Sequence, residues 1–209
     1  MNKRFIGIIA AIIVLVGGFM WVTKPKEDTT NTTAQLSNHL KGEGAKKVTL
    51  VEYGDFQCPA CGAYYPIVER IVDTYKSDIT FQFRNFPLES LHQNARAASR
   101  AVEAAHLQGK FWEMYSSLYT NQEAWSTSSD PLNVFTGYAT QIGISDTTKF
   151  TDDYKSAAVN DVINADMKEG QKLGLTGTPT FILNGKIVDT PSDEASFTKL
   201  ISDAVAAAK

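Results

Sequence analysis

The sequence is short of the residues that several common classes of protein need. It has 209 residues but only two cysteines and three histidines, too few for a small protein held together by disulfides. Acidic residues outnumber lysine and arginine by 23 to 20, so the formal net charge is −3. A general nucleic-acid-binding protein would carry a basic stripe, so we expect no nucleic-acid partner. Because 43% of the residues are hydrophobic and 21% are charged, the composition is that of a folded chain.

The first 37 residues divide into an apolar segment and a polar one. Residues 5–22 contain no charged residue and no Asn, Gln, Ser or Thr, and as a helix they would span about 27 Å, close to the hydrocarbon thickness of a bilayer. We therefore predict a retained transmembrane anchor over residues 1–22, with a cleaved signal peptide as the alternative. The Thr-rich residues 23–37 predict a linker. A single N-terminal anchor places the rest of the chain outside the cytoplasm by default, so we expect a single-pass cell-membrane protein whose main part is extracytoplasmic.

The folded part is predicted to begin with a β-α-β unit. Residues 48–53 are apolar and β-branched, which predicts a buried strand. A helix is expected from Pro59, because proline suits the first helical turn. Residues 80–84 alternate between apolar and polar side chains and predict a second strand. The helical crossover implies that the two strands are parallel.

The rest of the chain is predicted to be helical and then to return to β structure. Ser90 and Gln93 match a capping box at the start of a helix, and the alanine-rich residues 95–105 continue the helical pattern. Near the end, two β-rich segments flank Asn184-Gly185, a strong two-residue hairpin signal. A final alanine-rich helix follows, so the sequence predicts an α/β fold.

The two cysteines, Cys58 and Cys61, lie three positions apart in Cys-Pro-Ala-Cys, between the first strand and its helix. A zinc site would need further ligands, and the three scattered histidines lack ligand spacing, so we expect no metal and no cofactor other than the redox-active pair itself. Two inert buried thiols are the second alternative. The strand–loop–Cys-x-x-Cys–helix arrangement favours redox chemistry.

The positions of the two thiols predict different roles. Cys58 would lie at the helix N-terminus, where free N–H groups and the positive end of the dipole stabilise a thiolate. We therefore expect its pKa to fall below the usual value of about 8.5. Cys61 would lie one turn further along, sheltered and ready to resolve a mixed disulfide.

Two further residues, Glu52 and Pro179, are candidate site residues. Glu52 interrupts the first strand six positions before Cys58, and a buried carboxyl group has a raised pKa. Placed behind the cysteines, it would carry the proton that Cys61 gains or loses, whereas at a strand edge it would simply face solvent. Pro179 directly precedes a predicted strand and can be cis, although a trans loop proline is the commoner case.

Residues 48–61 (VTLVEYGDFQCPAC) and 177–185 (GTPTFILNG) resemble the thioredoxin-fold disulfide oxidoreductases, and the DsbA-like branch fits best. The resemblance implies a thioredoxin fold with a helical domain inserted between the β-α-β unit and a C-terminal β-β-α unit. The long separation of Cys61 and Pro179 leaves room for that insertion. The implied domains are a thioredoxin-like domain at 38–87 and 176–209 and an inserted helical domain at 88–175.

The resemblance also assigns roles to individual residues. It implies that Cys58 is the nucleophile, Cys61 the resolving thiol and Glu52 the buried acid. Pro179 corresponds to the cis-proline beside the disulfide, and the backbone of Thr178 would pair with an extended substrate chain. The substrate-binding residues expected from the two motifs are Thr178, Pro179, Pro59 and Ala60.

The function implied is that of a membrane-tethered, monomeric protein disulfide oxidoreductase. It would donate disulfides to reduced exported proteins and be reoxidised by a membrane partner of the DsbB or VKOR type. Ala60 stands where strongly oxidising relatives often carry histidine, so we expect a milder oxidant. The alternatives are a reductase or isomerase on the same fold and a non-catalytic peptide- or metal-binding module.

Overall fold

A mixed β-sheet lies at the centre of the structure, a computed structural model that describes residues 35–208. Within these residues the sheet has five strands in the order β1-β3-β2-β4-β5. Strands β2 and β3 are parallel, and the other neighbouring pairs are antiparallel. The strands are β1 (His39–Lys41), β2 (Val48–Gly54), β3 (Ile79–Asn85), β4 (Thr180–Leu183) and β5 (Lys186–Val188).

Eight helices accompany the sheet in the described part of the chain. The first connects β2 to β3, six lie between β3 and β4, and the last follows β5, so the predicted α/β class and the parallel β-α-β unit are confirmed. The helices are α1 (Pro59–Thr74), α2 (Ala95–His106), α3 (Phe111–Thr120), α4 (Gln122–Ser126), α5 (Pro131–Gln141), α6 (Thr147–Lys155), α7 (Ala157–Lys172) and α8 (Glu194–Ala207).

The C-terminal hairpin forms where the sequence predicts it. Asn184 and Gly185 adopt φ angles of 50° and 78°, the left-handed conformation that a tight two-residue hairpin turn requires. The side chain of Asn184 also accepts a hydrogen bond of 2.9 Å from the backbone N–H of Thr49. This bond ties the hairpin to β2 and therefore to the strand that leads to the cysteines.

The start of α2 differs from the prediction. Ser90 lies in a turn, and the helix begins at Ala95 with Asn94 as its N-cap residue. The side chain of Gln93, which would have completed the capping box, donates to the carbonyl of Ser126 at 3.3 Å instead. Asn94 donates to the same carbonyl at 3.1 Å. Contacts with the end of α4 therefore override the local capping pattern.

The folded part begins earlier than residue 38. Ser37, which the sequence analysis assigns to the linker, is buried, and its N–H donates to the Asp166 carboxylate at 2.9 Å. Its carbonyl accepts from Arg84 at 2.7 Å, and the N–H of Asn85 also donates to Asp166 at 3.0 Å. A buried carboxylate on α7 thus fixes the chain just before β1, a strand that the hydrophobic pattern did not reveal.

Two expectations about chain organisation are not decided by the described residues. The expected anchor at residues 5–22 lies outside them. Within residues 35–208, every helix is too short or too polar to cross a bilayer. The division into domains at 38–87, 176–209 and 88–175 stays a prediction.

Aromatic side chains join the helices after β3 to the sheet. Trp125, Phe111 and Tyr115 are buried, and Trp112 is partly buried. The rings of Phe111 and Tyr115 lie 6.3 Å and 5.2 Å from the ring of Phe83 on β3. These residues therefore belong to a core that the helices share with the sheet.

Candidate active site

The two cysteines lie at the start of α1, directly beyond the central strand β2. Cys58 is the N-cap residue and Cys61 lies in the first turn, with Pro59 at a position where its missing N–H costs no hydrogen bond. Both cysteines are free thiols. Cys58 is 7% exposed, whereas Cys61 is fully buried. The structure therefore gives solvent access to one sulfur and shelter to the other.

The environment of Cys58 stabilises its thiolate. Its pKa is lowered to about 5, chiefly because the Cys61 thiol donates a hydrogen bond to it, and the backbone N–H groups of Ala60 and Cys61 also contribute. Burial opposes this shift. The direction agrees with the expectation from the helix N-terminus, but the largest contribution comes from the second thiol.

Cys61 is held in the opposite state. Its pKa is raised well above the ordinary value, first by burial, then by the hydrogen bond it donates to Cys58, and also by the negative charge of Glu52. One thiolate and one thiol are therefore the stable pair near neutral pH.

Glu52 lies in the middle of the sheet, where its register partners are Phe83 on β3 and Phe181 on β4. It is 1% exposed, so the alternative of a solvent-facing carboxylate at a strand edge is wrong. Burial raises its pKa to about 8, with smaller contributions from the negative charges of Glu69 and Cys58. Glu52 thus holds a proton at neutral pH and exchanges it readily just above.

The loop before β4 reaches the same site from the far end of the chain. The Thr178–Pro179 peptide bond is cis, so the trans alternative is wrong. The carbonyl oxygen of Thr178 lies 3.4 Å from the sulfur of Cys58. Pro59 and Ala60 are exposed beside them, so the four expected substrate-binding residues are placed around or next to the reactive sulfur.

Gln122 is a site residue that sequence reasoning missed. Its side-chain amide on α4 donates to the carbonyl of Phe56 at 2.7 Å and to that of Cys58 at 2.9 Å. A Cβ on Gly62 would lie 2.7 Å from the Gln122 side chain, so glycine permits this approach. The contact joins positions 64 residues apart, so no local sequence pattern predicts it.

Asp55 and His92 form a second unpredicted contact. Asp55 is fully buried, and its carboxylate lies 2.7 Å from His92 Nδ1 and accepts from the N–H of Gln57 at 2.8 Å. The N–H of Cys58 donates to the Asp55 carbonyl at 3.1 Å. Asp55 therefore fixes the loop that presents Cys58.

A surface cleft of about 420 Å³ opens beside the site. Pro59, Gly62 and Ala63 line one wall, and residues 119–124 of α3 and α4 line the other. The helices inserted after β3 therefore form part of the surface next to the reactive sulfur.

Comparison with known protein families shows which family the chain belongs to. Residues 35–203 match the family model described as Thioredoxin. The chain belongs to the thioredoxin family. This thioredoxin-family chain is similar over its full fold to the solved structure of the thiol-disulfide exchange protein alpha-DsbA2 from Wolbachia pipientis. The two share 18% identity with a TM-score of 0.66, over 97% of this chain and 99% of that one.

This thioredoxin-family chain is also similar to curated proteins of two kinds. It is 27% identical over 192 residues to the "Probable disulfide bond formation protein D" of Bacillus anthracis, covering 88% of this chain and 87% of that protein. It is 35% identical over 168 residues to the Na(+)/H(+) antiporter NhaA 1 of Mycolicibacterium gilvum, covering 78% of this chain. The match covers 26% of that antiporter, so the chain spans about a quarter of such relatives.

The resemblance to the DsbA-like branch is therefore confirmed. The fold of this thioredoxin-family chain is the one found in DsbA proteins, with helices between the β-α-β unit and the C-terminal hairpin. Its site brings together one stabilised thiolate, one sheltered thiol and a protonated acid, the groups that thiol–disulfide exchange requires.

Proposed function

We propose that this DsbA-like chain is an extracytoplasmic oxidant that donates a Cys58–Cys61 disulfide to reduced exported proteins. The observation that carries the proposal is the opposite shift of the two thiol pKa values. The pKa of Cys58 is lowered to about 5, whereas that of Cys61 is raised. A low-pKa sulfur is a good leaving group, and a sheltered neighbour completes the exchange.

The stability of the reduced form supports the proposed direction of transfer. Above pH 5 the Cys58 thiolate is stable in the folded protein, whereas an ordinary thiol stays protonated up to about pH 9. At pH 7 this difference favours the reduced enzyme by about 3 kcal/mol. For a two-electron couple, this free energy raises the reduction potential by about 60 mV relative to a cysteine pair in which both thiols have ordinary pKa values. A higher potential favours donation of the disulfide, in line with the proposal.

The exchange proceeds through two disulfide transfers. A substrate thiolate attacks Cys58, so that a substrate–Cys58 disulfide forms, the Cys58–Cys61 bond breaks and Cys61 leaves as a thiolate. Cys61 then takes the proton held by Glu52. A second substrate thiolate attacks the substrate sulfur and releases the Cys58 thiolate. The substrate loses two electrons and gains a disulfide, and the enzyme gains both electrons as one thiolate and one thiol.

The substrate would bind in an extended conformation beside the reactive sulfur. The Thr178 carbonyl lies 3.4 Å from the Cys58 sulfur, and we expect it to accept a hydrogen bond from a substrate backbone. Pro59 and Ala60 are exposed on the other side. Because Ala60 provides no imidazole to stabilise the thiolate further, we place the enzyme among the milder oxidants of its class.

Membrane attachment and reoxidation complete the proposal. Residues 5–22 are apolar enough to anchor the chain, which would hold a monomeric catalytic part outside the cytoplasm. A membrane reoxidase of the DsbB or VKOR type would then restore the disulfide. The name of the Bacillus anthracis relative, which refers to disulfide bond formation, supports this direction.

The redox state of the full chain in its own cells tests the proposed direction. A disulfide donor is expected to have Cys58 and Cys61 mostly oxidised when thiols are trapped by rapid alkylation. The purified chain should have a reduction potential between about −180 and −120 mV, the range from protein disulfide isomerase to DsbA. Mostly reduced cysteines with a potential near the thioredoxin value of about −270 mV would show that the chain is a reductase instead.

A further inference from the structure

The surface cleft of about 420 Å³ between α1 and residues 119–124, here called the α1–α4 cleft, begins next to the reactive cysteine. Pro59, which lines the cleft, directly follows Cys58 in the chain. A substrate joined to Cys58 by a disulfide therefore passes beside the cleft. In an extended chain, a side chain two or three positions from the substrate cysteine lies about 7–10 Å from it, which is near enough to enter the cleft.

The α4 side of the cleft is held in place by contacts within the enzyme. The side-chain amide of Gln122 donates to the carbonyls of Phe56 at 2.7 Å and Cys58 at 2.9 Å. Trp125 on the same helix is fully buried, and its indole N–H donates to the Leu118 carbonyl at 2.8 Å. Because this wall is already ordered, a bound chain loses little free energy to fixing it.

The lining of the cleft offers polar contacts. Thr120 and Asn121 are exposed on it. Oε1 of Gln122 lies beside Gly62, where a Cβ would approach it to 2.7 Å, and within residues 35–208 this oxygen accepts no hydrogen bond. An amide oxygen can accept from the N–H groups of a peptide. The cleft therefore suits a polar stretch of polypeptide.

The charge of the lining has one sign. Among the described residues that line the cleft, Glu123 alone is charged. It is exposed, and it forms no ion pair with another residue of 35–208. Its carboxylate is therefore left to attract a cation on a bound chain.

We propose that the α1–α4 cleft binds the stretch of substrate chain beside the substrate cysteine, and that Glu123 selects a lysine or arginine there. The inference rests on the proposed function, since it concerns the reduced proteins that the Cys58–Cys61 disulfide oxidises. The ammonium or guanidinium group pairs with the Glu123 carboxylate, and Oε1 of Gln122 accepts a hydrogen bond from the substrate chain. The cleft adds affinity and leaves the disulfide transfers as they are.

The size of the preference follows from the exposure of Glu123. Ion pairs at exposed positions are weak, so we expect a substrate with lysine to react about threefold faster than one with glutamine at low ionic strength. A substrate with glutamate is expected to react more slowly than both. The differences should disappear in about 1 M salt, where the Debye length falls to about 3 Å.

Oxidation of six peptides by the oxidised full-length chain measures this preference. Each peptide carries two cysteines that can form one disulfide, with lysine, glutamine or glutamate two positions before or two positions after the pair. The second-order rate constant is obtained from quenched samples by mass spectrometry. In at least one of the two series the lysine peptide should be fastest. Glu123→Gln should remove the preference, and Glu123→Lys should make the glutamate peptide the fastest.

The matched control is Glu43→Lys, the same charge change at an exposed residue beyond the other end of α1, where the Glu43 N–H donates to the Lys76 carbonyl at 2.7 Å. It should keep the lysine preference. A lysine preference that persists in Glu123→Lys would overturn the proposal, and so would equal rates for all six peptides with the wild-type chain. If the wild-type chain oxidised none of the peptides, the proposed function would fail, and this inference with it.

Discussion

Replacing Cys58 by serine is expected to abolish disulfide exchange, whereas replacing Cys61 by serine traps substrates in mixed disulfides. Cys58 is the sulfur with solvent access and a pKa of about 5, so the attack on a substrate depends on it. Cys61 is fully buried and meets no substrate directly. Without it, the disulfide between Cys58 and a substrate is no longer attacked from within the enzyme.

The measurement is capture of reduced and oxidised test proteins by each variant, followed by non-reducing electrophoresis. Cys61→Ser should accumulate a reducible adduct at Cys58, and Cys58→Ser should form none. Turnover by both variants should fall to the uncatalysed rate. Identical behaviour of the two variants would contradict the roles assigned here and would favour a non-catalytic binding module.

Replacing Glu52 by glutamine is expected to remove a pH dependence of stability that the wild-type chain shows between pH 4.5 and pH 8. The pKa of Glu52 rises from 4.5 to about 8 on folding, chiefly because of burial. The folded protein therefore keeps a proton that the unfolded chain releases, and the free energy of unfolding falls as the pH rises across this range. The favourable contribution is complete below pH 4.5 and is lost above pH 8.

The two proteins should accordingly be equally stable at pH 4, and the variant should be more stable by about 3 kcal/mol at pH 7. Urea unfolding of the oxidised forms measures this difference without titration of the cysteines. Glu194→Gln, at an exposed carboxylate, is the control and should not reproduce the divergence. Parallel stability curves for wild type and Glu52→Gln would show that Glu52 is not buried as a neutral acid.

Local patterns were sufficient where a single element decides the structure. The apolar run at 48–53 becomes β2, the proline at 59 begins α1, and Asn184-Gly185 forms the hairpin turn. Each of these depends on backbone preferences that act over a few residues. Because the start of α1 also depends on local preferences, the sequence indicated that Cys58 would lie at a helix N-terminus.

Contacts between distant positions could not be predicted in this way. Ser90 fails to start α2 because Gln93 and Asn94 bond to the end of α4. Gln122 reaches the active-site loop across 64 positions. Within the site, the direction of the Cys58 pKa shift was predicted correctly. Its largest cause, the hydrogen bond from Cys61, depends on the packed position of the second sulfur.

The ionisation of Cys58 tests the central claim most directly. The rate of alkylation of the reduced full-length chain by iodoacetamide is measured against pH, with the modified residue identified by mass spectrometry. The structure predicts that Cys58 alone reacts and that its rate rises with a midpoint near pH 5. A midpoint near that of an ordinary thiol, at about pH 8.5, would contradict the account.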